Sequence, residues 1–440
     1  MDAAINQVAP MPVVMVVIGA LFLGTLAISR ISLKFGVPAV LGVLLLGLAI
    51  NPRVTLFTPG AIQTIHTITL AVLLFYAGLR TELKAMRGFL RFGLLLAFGG
   101  VVISTLLLGL IVWFTASPDA GGIALGFEQI PLSVALLVAV CLGSTDAGAT
   151  MNVLDSVGRA VPRRLGHLVE FESSVNDPAA ILLLGIVLSL SSRSGAATSL
   201  PLMLLAQVRE FVQQIGAGVL VGLVMGFLAS ACLNRLVRQR EELLLLGIAL
   251  GLLSFGSAEL LRGSGFLSVY VTGLYLCNAH YSNSHITPDT LQETLLPFNT
   301  MTEITVFLIY GINTRPADLL SSLSEGFVCA LGLMLVARPL SVLAFQRWSP
   351  FDRRETTLIC WCGLRGAVPL SLSITAMEAI PRLPGIDPAL AAQIQSNGSG
   401  IVFTVVMLNL LLQGLSLPLL CRWLGWGTPP ATLPSAAEGR

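Results

Sequence analysis

Charge is what this sequence has least of. Asp, Glu, Lys and Arg supply 11% of its 440 residues, hydrophobic residues supply 55%, and the formal net charge is +2. The basic residues stand singly or in twos and threes between apolar runs. Without a basic stripe to track a phosphate backbone, nucleic acid is excluded as a partner. Histidine is scarce, with four in the chain, and H-E-x-x-H does not occur. Asn397-Gly-Ser-Gly lacks the first Gly of a G-x-S-G site and has no His after it, so enzyme chemistry is not expected. Cys360-Trp-Cys362 has no nearby His to complete a zinc set, and the seven cysteines read as small packing residues. The start, MDAAINQVAPMP, lacks the basic residues and cleavage site of a signal peptide, so the first apolar run is expected to remain as a span. Only residues 422–440 follow the last apolar run, and no regulatory domain is expected there.

What the chain has is long apolar runs, such as VVMVVIGALFLGTLAI (13–28) and VVMLNLLLQGLSLPLL (405–420). They are apolar all round rather than alternating, which excludes a β-barrel and predicts an all-α polytopic membrane protein. At about twenty residues per crossing, polar and Pro/Gly breaks give about thirteen spans. These fall at 12–29, 36–50, 61–79, 92–114, 131–155, 166–190, 210–230, 243–261, 264–279, 296–312, 326–344, 356–379 and 397–421. The second and ninth are short, which leaves twelve open. Lys and Arg number seventeen on one side of this arrangement and six on the other. The N-terminus is therefore expected outside and the C-terminus in the cytoplasm, with a bacterial inner membrane as the default. Two basic residues, Arg338 and Arg365, fall within spans and need partners or a watery cavity.

ITLAVLLFYAGLRTEL (68–83) and ITVFLIYGINTRPADL (304–319) share an apolar run, a Tyr, a Gly and a basic exit. If spans 1–6 and 8–13 are two copies, they are inverted, as in secondary transporters with a midplane site. Spans 5 and 12 then correspond, and both are interrupted. Span 5 carries Gly143-Ser-Thr-Asp-Ala-Gly148 and span 12 carries Gly363-Leu-Arg-Gly366 and Pro369. Broken helices put partial positive charge at N-termini and partial negative charge at C-termini, so Asp146 and Arg365 can compensate those ends.

The sixth span contains FESSVNDPAA (171–180). Ser173 and Asp177 are four apart, as are Glu172 and Asn176, giving two polar edges on one helix. Asp177, Ser173 and the unwound chain at Thr145 and Asp146 offer hard oxygen ligands suited to an alkali cation. Arg365 is expected to neutralise Glu172 and hold Asn176. A desolvated carboxylate takes either a proton or a cation, so the two compete for the same oxygens and exchange follows.

These motifs, Ser144-Thr145-Asp146, Glu172-Ser-Ser-Val-Asn-Asp-Pro178, Gly363-Leu-Arg-Gly-Ala367 and FYAGL at 75–79, resemble the cation/proton antiporter superfamily in its NhaP-like, electroneutral branch. The resemblance implies an antiporter fold of two inverted repeats with crossed broken helices, and a homodimer without a cofactor. It implies core helices at about 92–190 and 326–421 moving as an elevator against dimerisation helices at about 12–79 and 243–312, with 210–230 as linker. Asp177 would carry ion and proton, Asp146, Thr145 and Ser173 would complete the cation site, and Glu172, Asn176 and Arg365 would form a structural polar cluster. Asn176, where electrogenic relatives are expected to have a second Asp, implies one proton per Na⁺ or K⁺. Two departures stand out: Tyr76 occupies a position where many relatives place a carboxylate, and the long cytoplasmic tail of several relatives is missing.

Other polar residues have plainer readings. His167, with Arg163, Arg164 and Glu170, is either a pH sensor or a solvated helix end. His66 lies near the outer end of span 3, and His280 and His285 read as surface residues. Glu303 and Glu259 either face the ion path or are paired, and Glu82 is a candidate partner for Arg338. The alternative function is proton- or sodium-coupled symport of a small organic anion, with Arg365 as the anion's anchor. A channel is disfavoured because no carbonyl-filter sequence is present.

Overall fold

The computed structural model describes residues 11–34, 38–49, 59–116, 130–157, 161–192, 200–282, 286–314 and 316–426; His285 and both chain ends lie outside them. The described chain is almost wholly helical. In order it forms α1 (Met11–Lys34), α2 (Ala39–Ala49), α3 (Pro59–Leu79), α4 (Leu90–Leu94), α5 (Val101–Ala116), α6 (Leu132–Cys141), α7 (Ala147–Val157), α8 (Arg163–Ser191) and α9 (Leu200–Leu236). It continues as α10 (Arg240–Leu260), α11 (Gly265–Asn278), α12 (Pro288–Asn313), α13 (Pro316–Ser321), α14 (Leu323–Gly332), α15 (Arg338–Leu343), α16 (Arg353–Trp361), α17 (Ala367–Ala379) and α18 (Pro388–Trp423). Seven of the described helical stretches are long and apolar enough to cross a membrane, and four apolar helices are shorter.

Helices occur where apolar runs predict them, but several start earlier. α9 begins at Leu200 rather than near 210, α12 at Pro288 rather than 296, and α18 at Pro388 rather than 397. Polar residues such as Gln292, Glu293 and Gln395 end a hydrophobic run without ending a helix, because the backbone bonds continue into the interface. Thr287 and Asp387, accepting from the amides of Thr290 and Ala389, cap α12 and α18 just before a proline, which has no N–H and so needs no acceptor.

The helices sort into two groups. One comprises α4–α8 with α14–α18; the other is α1–α3 with α9–α12, and they meet where α3, α11 and α12 pack on α8 and α17. The second group is stitched by close crossings. Gly78 of α3 and Gly273 of α11 lie against each other's backbones, as do Gly47 of α2 and Gly311 of α12; a Cβ at any of the four would overlap the facing chain. Small residues let membrane helices approach this closely. Leucines that are exposed, among them Leu23 and Leu26 of α1, Leu220 of α9 and Leu245 and Leu253 of α10, form the outer surface of this group. Such a surface suits lipid or another apolar helix.

α4 and α5 are joined by a π turn at Leu95–Gly100, and α14 and α15 by one at Leu333–Ala337. The second has a local cause. Pro339 has no N–H for the carbonyl one turn before it, so the ladder widens there. Arg338 opens α15 at that point and its side chain is buried.

Candidate ion site at the helix crossing

Both interrupted spans are broken in the structure. Non-helical chain separates α6 from α7 at 142–146 and α16 from α17 at 362–366, and the two breaks cross. The Asp146 amide donates to the Leu364 carbonyl at 2.7 Å. Glycine is required at this crossing: a Cβ on Gly366 would overlap the Asp146 carboxylate.

Side chains of the sign demanded by the helix ends occupy the crossing. Asp146 Oδ1 accepts the Ala149 amide at 3.0 Å and so caps the N-terminus of α7. Arg365 Nη1 donates to the Ser144 carbonyl at 2.6 Å, just beyond the C-terminus of α6. Each break is also held by an asparagine from the next long helix. Asn176 of α8 accepts the Thr145 amide at 3.2 Å and donates to Thr145 Oγ1 at 2.7 Å. Asn409 of α18 accepts the Arg365 amide at 2.7 Å and donates to Gly363 O and to Gln413. The same device thus serves both breaks.

The expected pairing of Arg365 with Glu172 is corrected by the geometry. Glu172 receives a two-pronged bond from Arg338, whose Nη2 lies 2.9 Å from Oε2 and whose Nη1 bonds Oε1. Arg338 Nη2 also donates to the carbonyls of Ile359 and Cys362, at 3.1 and 3.2 Å, at the C-terminus of α16. Its partner is therefore Glu172 and not Glu82. The π turn before Arg338 aims it inward, which no reading of linear spacing could anticipate. Asn176 is bonded to Thr145 rather than to Arg365.

On α8, Glu170, Ser173, Ser174 and Asp177 recur at helical spacing and line one side of a cavity of about 100 Å³. α3 lines another side with Leu73, Tyr76, Ala77 and Arg80, and the crossing contributes Thr145, Asp146 and residues 366–369. Ser173 Oγ lies 2.9 Å from Thr145 Oγ1. Asp177 Oδ1 is buried and has no hydrogen-bond partner. Four candidate ligands, Asp177, Asp146, Thr145 and Ser173, thus share one cavity. At its mouth Arg80 of α3 and Glu170 of α8 form an ion pair across the two helix groups. Tyr76 lines the cavity with a phenol.

A second cavity of about 750 Å³ lies further along the same helices. It is lined by Leu70 of α3, Ile181 and Leu182 of α8 and Leu372 of α17, and includes His66, which is buried. One helical turn separates Asp177 from Ile181. His167 is half-exposed and lies 3.9 Å from Glu170 at the mouth of the first cavity. Glu259 is satisfied locally, accepting the Gly265 amide at 2.9 Å.

Several site residues escaped the sequence reading. Asn409 and Gln413 had a signal, a polar pair four apart in an otherwise apolar span. Asn299 of α12, which also lines the first cavity, had no signal of its own, whereas Glu303, expected either to face the ion path or to be paired, lines that cavity one turn along.

The sodium/hydrogen exchanger transmembrane family model matches residues 17–423. The K⁺/H⁺ antiporter NhaP2 of Shewanella oneidensis is 32% identical over 432 residues, covering 96% of this chain and 69% of its own. The Na⁺/H⁺ antiporter NhaS2 of Synechocystis is 29% identical over 446 residues, covering 97% of this chain and 74% of its own. In fold, the chain is similar to the solved sodium proton antiporter MjNhaP1 of Methanocaldococcus jannaschii. The TM-score is 0.77 at 21% identity, over 93% of this chain and 99% of the other.

Proposed function

The chain belongs to the sodium/hydrogen exchanger family, in its NhaP-like branch, and from that premise we propose that it exchanges one Na⁺ or K⁺ for one proton with Asp177 as shared carrier. Membership makes it a cation/proton antiporter of the membrane rather than an enzyme. The observation that carries the finer reading is the Asp177 oxygen without a partner, inside a cavity that also holds Asp146, Thr145 and Ser173. A carboxylate placed there is neutralised by a proton or by a cation, and whichever binds displaces the other.

One-to-one stoichiometry is supported by Asn176, whose amide is engaged on both sides by Thr145 and contributes no carboxylate at that position. Glu172 is taken up by the two-pronged bond from Arg338 and does not line the cavity, so it stays out of the count. Asp146 supports the site as an oxygen donor fixed at the α7 N-terminus, where helix dipole and carboxylate attract each other.

Alternating access is supported by the two cavities along α3, α8 and α17, with Asp177 lining one and Ile181, one helical turn on, lining the other. The group α4–α8 with α14–α18 acts as the mobile core, and α1–α3 with α9–α12 as the scaffold that dimerises through its apolar outer surface. The paired glycine crossings of α3 with α11 and of α2 with α12 support the inverted repeat, since each is the counterpart of the other if spans 2 and 9, and 3 and 10, correspond. The Lys/Arg asymmetry supports an outside N-terminus in a bacterial inner membrane. Organic-anion symport loses its anchor, because Arg365 is 1% exposed and committed to the Ser144 carbonyl.

The test is reconstitution in liposomes with an entrapped pH dye under a clamped potential, comparing wild type with Asp177→Asn. Cation-driven proton movement that ignores the potential and vanishes in the variant is expected. A rate that scales with potential, or exchange that survives in the variant, would sink the proposal.

A further inference from the structure

The ion cavity is also lined by α12 of the scaffold group, which packs on α17, and this wall is not apolar. Asn299 and Glu303 are four residues apart, so they lie one above the other on a single helix face, and both line the cavity. Asn299 Oδ1 is buried without a hydrogen-bond partner, as is Asp177 Oδ1 in the same cavity. An acid inside a span ordinarily persists because a base pairs with it. Here the basic residue that lines the cavity is Arg80, and Arg80 is bonded to Glu170. Glu303 therefore faces the same water-sized space as Asp146 and Asp177, and among the described residues no guanidinium is bonded to it.

The two walls match in chemistry. α8 presents Ser173 and Asp177, and α12 presents Asn299 and Glu303; each offers one neutral oxygen and one carboxylate at the same four-residue spacing. The cavity, at about 100 Å³, has room for several waters, so an ion can enter with part of its hydration shell and replace the rest with oxygens from both helices. We propose that Asn299 and Glu303 form a scaffold-side binding site for the transported monovalent cation, which holds the ion at the cavity before Asp177 takes it. This rests on the exchanger reading above. Because α12 and α8 belong to different helix groups, the site is complete only while the core stands in the position seen here. Its effect is confined to the face on which Arg80 and Glu170 open.

The experiment is cation-driven proton exchange in proteoliposomes of uniform orientation, with NaCl and KCl applied in turn to each face, for wild type, Glu303→Gln, Glu303→Asp and Asn299→Ala. Removing one nearby charge is expected to raise KM from the Arg80/Glu170 face about tenfold in Glu303→Gln, less in Glu303→Asp and Asn299→Ala, with KM from the other face within about twofold. Unchanged KM at the Arg80/Glu170 face in the folded variants overturns the scaffold site. So does an equal rise at both faces, which a merely structural role would give. Should Glu303→Gln not fold, Glu303→Asp and Asn299→Ala decide by the same one-sided criterion. Wild-type vesicles that exchange neither cation would overturn the exchanger reading itself, whereas active wild type with unaltered variants overturns only this site.

Discussion

Removing Arg338 discriminates best between the geometry seen and the one that residue spacing suggests. In Arg338→Met the aliphatic stem is roughly kept and the guanidinium is lost. Glu172, whose side chain is 2% exposed, then stays buried without its counter-charge, at a cost of about 3–5 kcal/mol. The carbonyls of Ile359 and Cys362 lose a donor as well, adding about 1 kcal/mol each. In Arg338→Met with Glu172→Gln the stranded charge is gone, so the double variant regains part of that loss, and the coupling energy should be about 2–4 kcal/mol. For Arg365→Met with Glu172→Gln the coupling should be within about 0.5 kcal/mol, because Arg365 bonds the Ser144 carbonyl instead. Reversible SDS unfolding in mixed micelles, run on both cycles, measures these energies. Larger coupling of Glu172 to Arg365 than to Arg338 would refute the pairing.

Asp146→Asn should leave unfolding stability within about 0.5 kcal/mol, since Asn caps a helix as well as Asp, yet lower transport strongly; Asp146→Ala should lose about 0.5–2 kcal/mol besides. Equal stability in the two variants would contradict a capping role. Gly366→Ala places a Cβ in the Asp146 carboxylate and should abolish exchange in a protein that still inserts, measured by vesicle assay and gel filtration; normal transport would mean the crossing is looser than described. Asn176→Asp removes the donor to Thr145 Oγ1 and sets a carboxylate beside it, at a cost of about 1–3 kcal/mol. Its melting temperature should fall, and a rise would show that the amide is not engaged at Thr145.

Much of this was legible in the chain. Apolar runs gave the helices, and Gly, Pro and a lone acid or base in mid-span marked both breaks, because an intact apolar helix has no use for them. The oxygen set on α8 could be read from its four-residue spacing. Spacing says nothing about the partner of a residue across helices, so Arg338 and Arg365 could not be told apart until a π turn aimed the first. Glu303 was visible as a costly acid, but whether it faced a partner or a cavity depends on how α12 rotates against α8. Helix ends were misjudged at α9, α12 and α18 because hydrophobicity reports the membrane boundary and backbone bonding reports the helix.

Competition at Asp177 is measured most directly as proton release on cation binding, in weakly buffered detergent solution at fixed ionic strength. Adding NaCl or KCl to purified protein should release one proton per cation bound, with choline chloride releasing none and Asp177→Asn releasing none with any salt. Cation binding without proton release, or release that persists in Asp177→Asn, would contradict the claim that one carboxylate carries both ions.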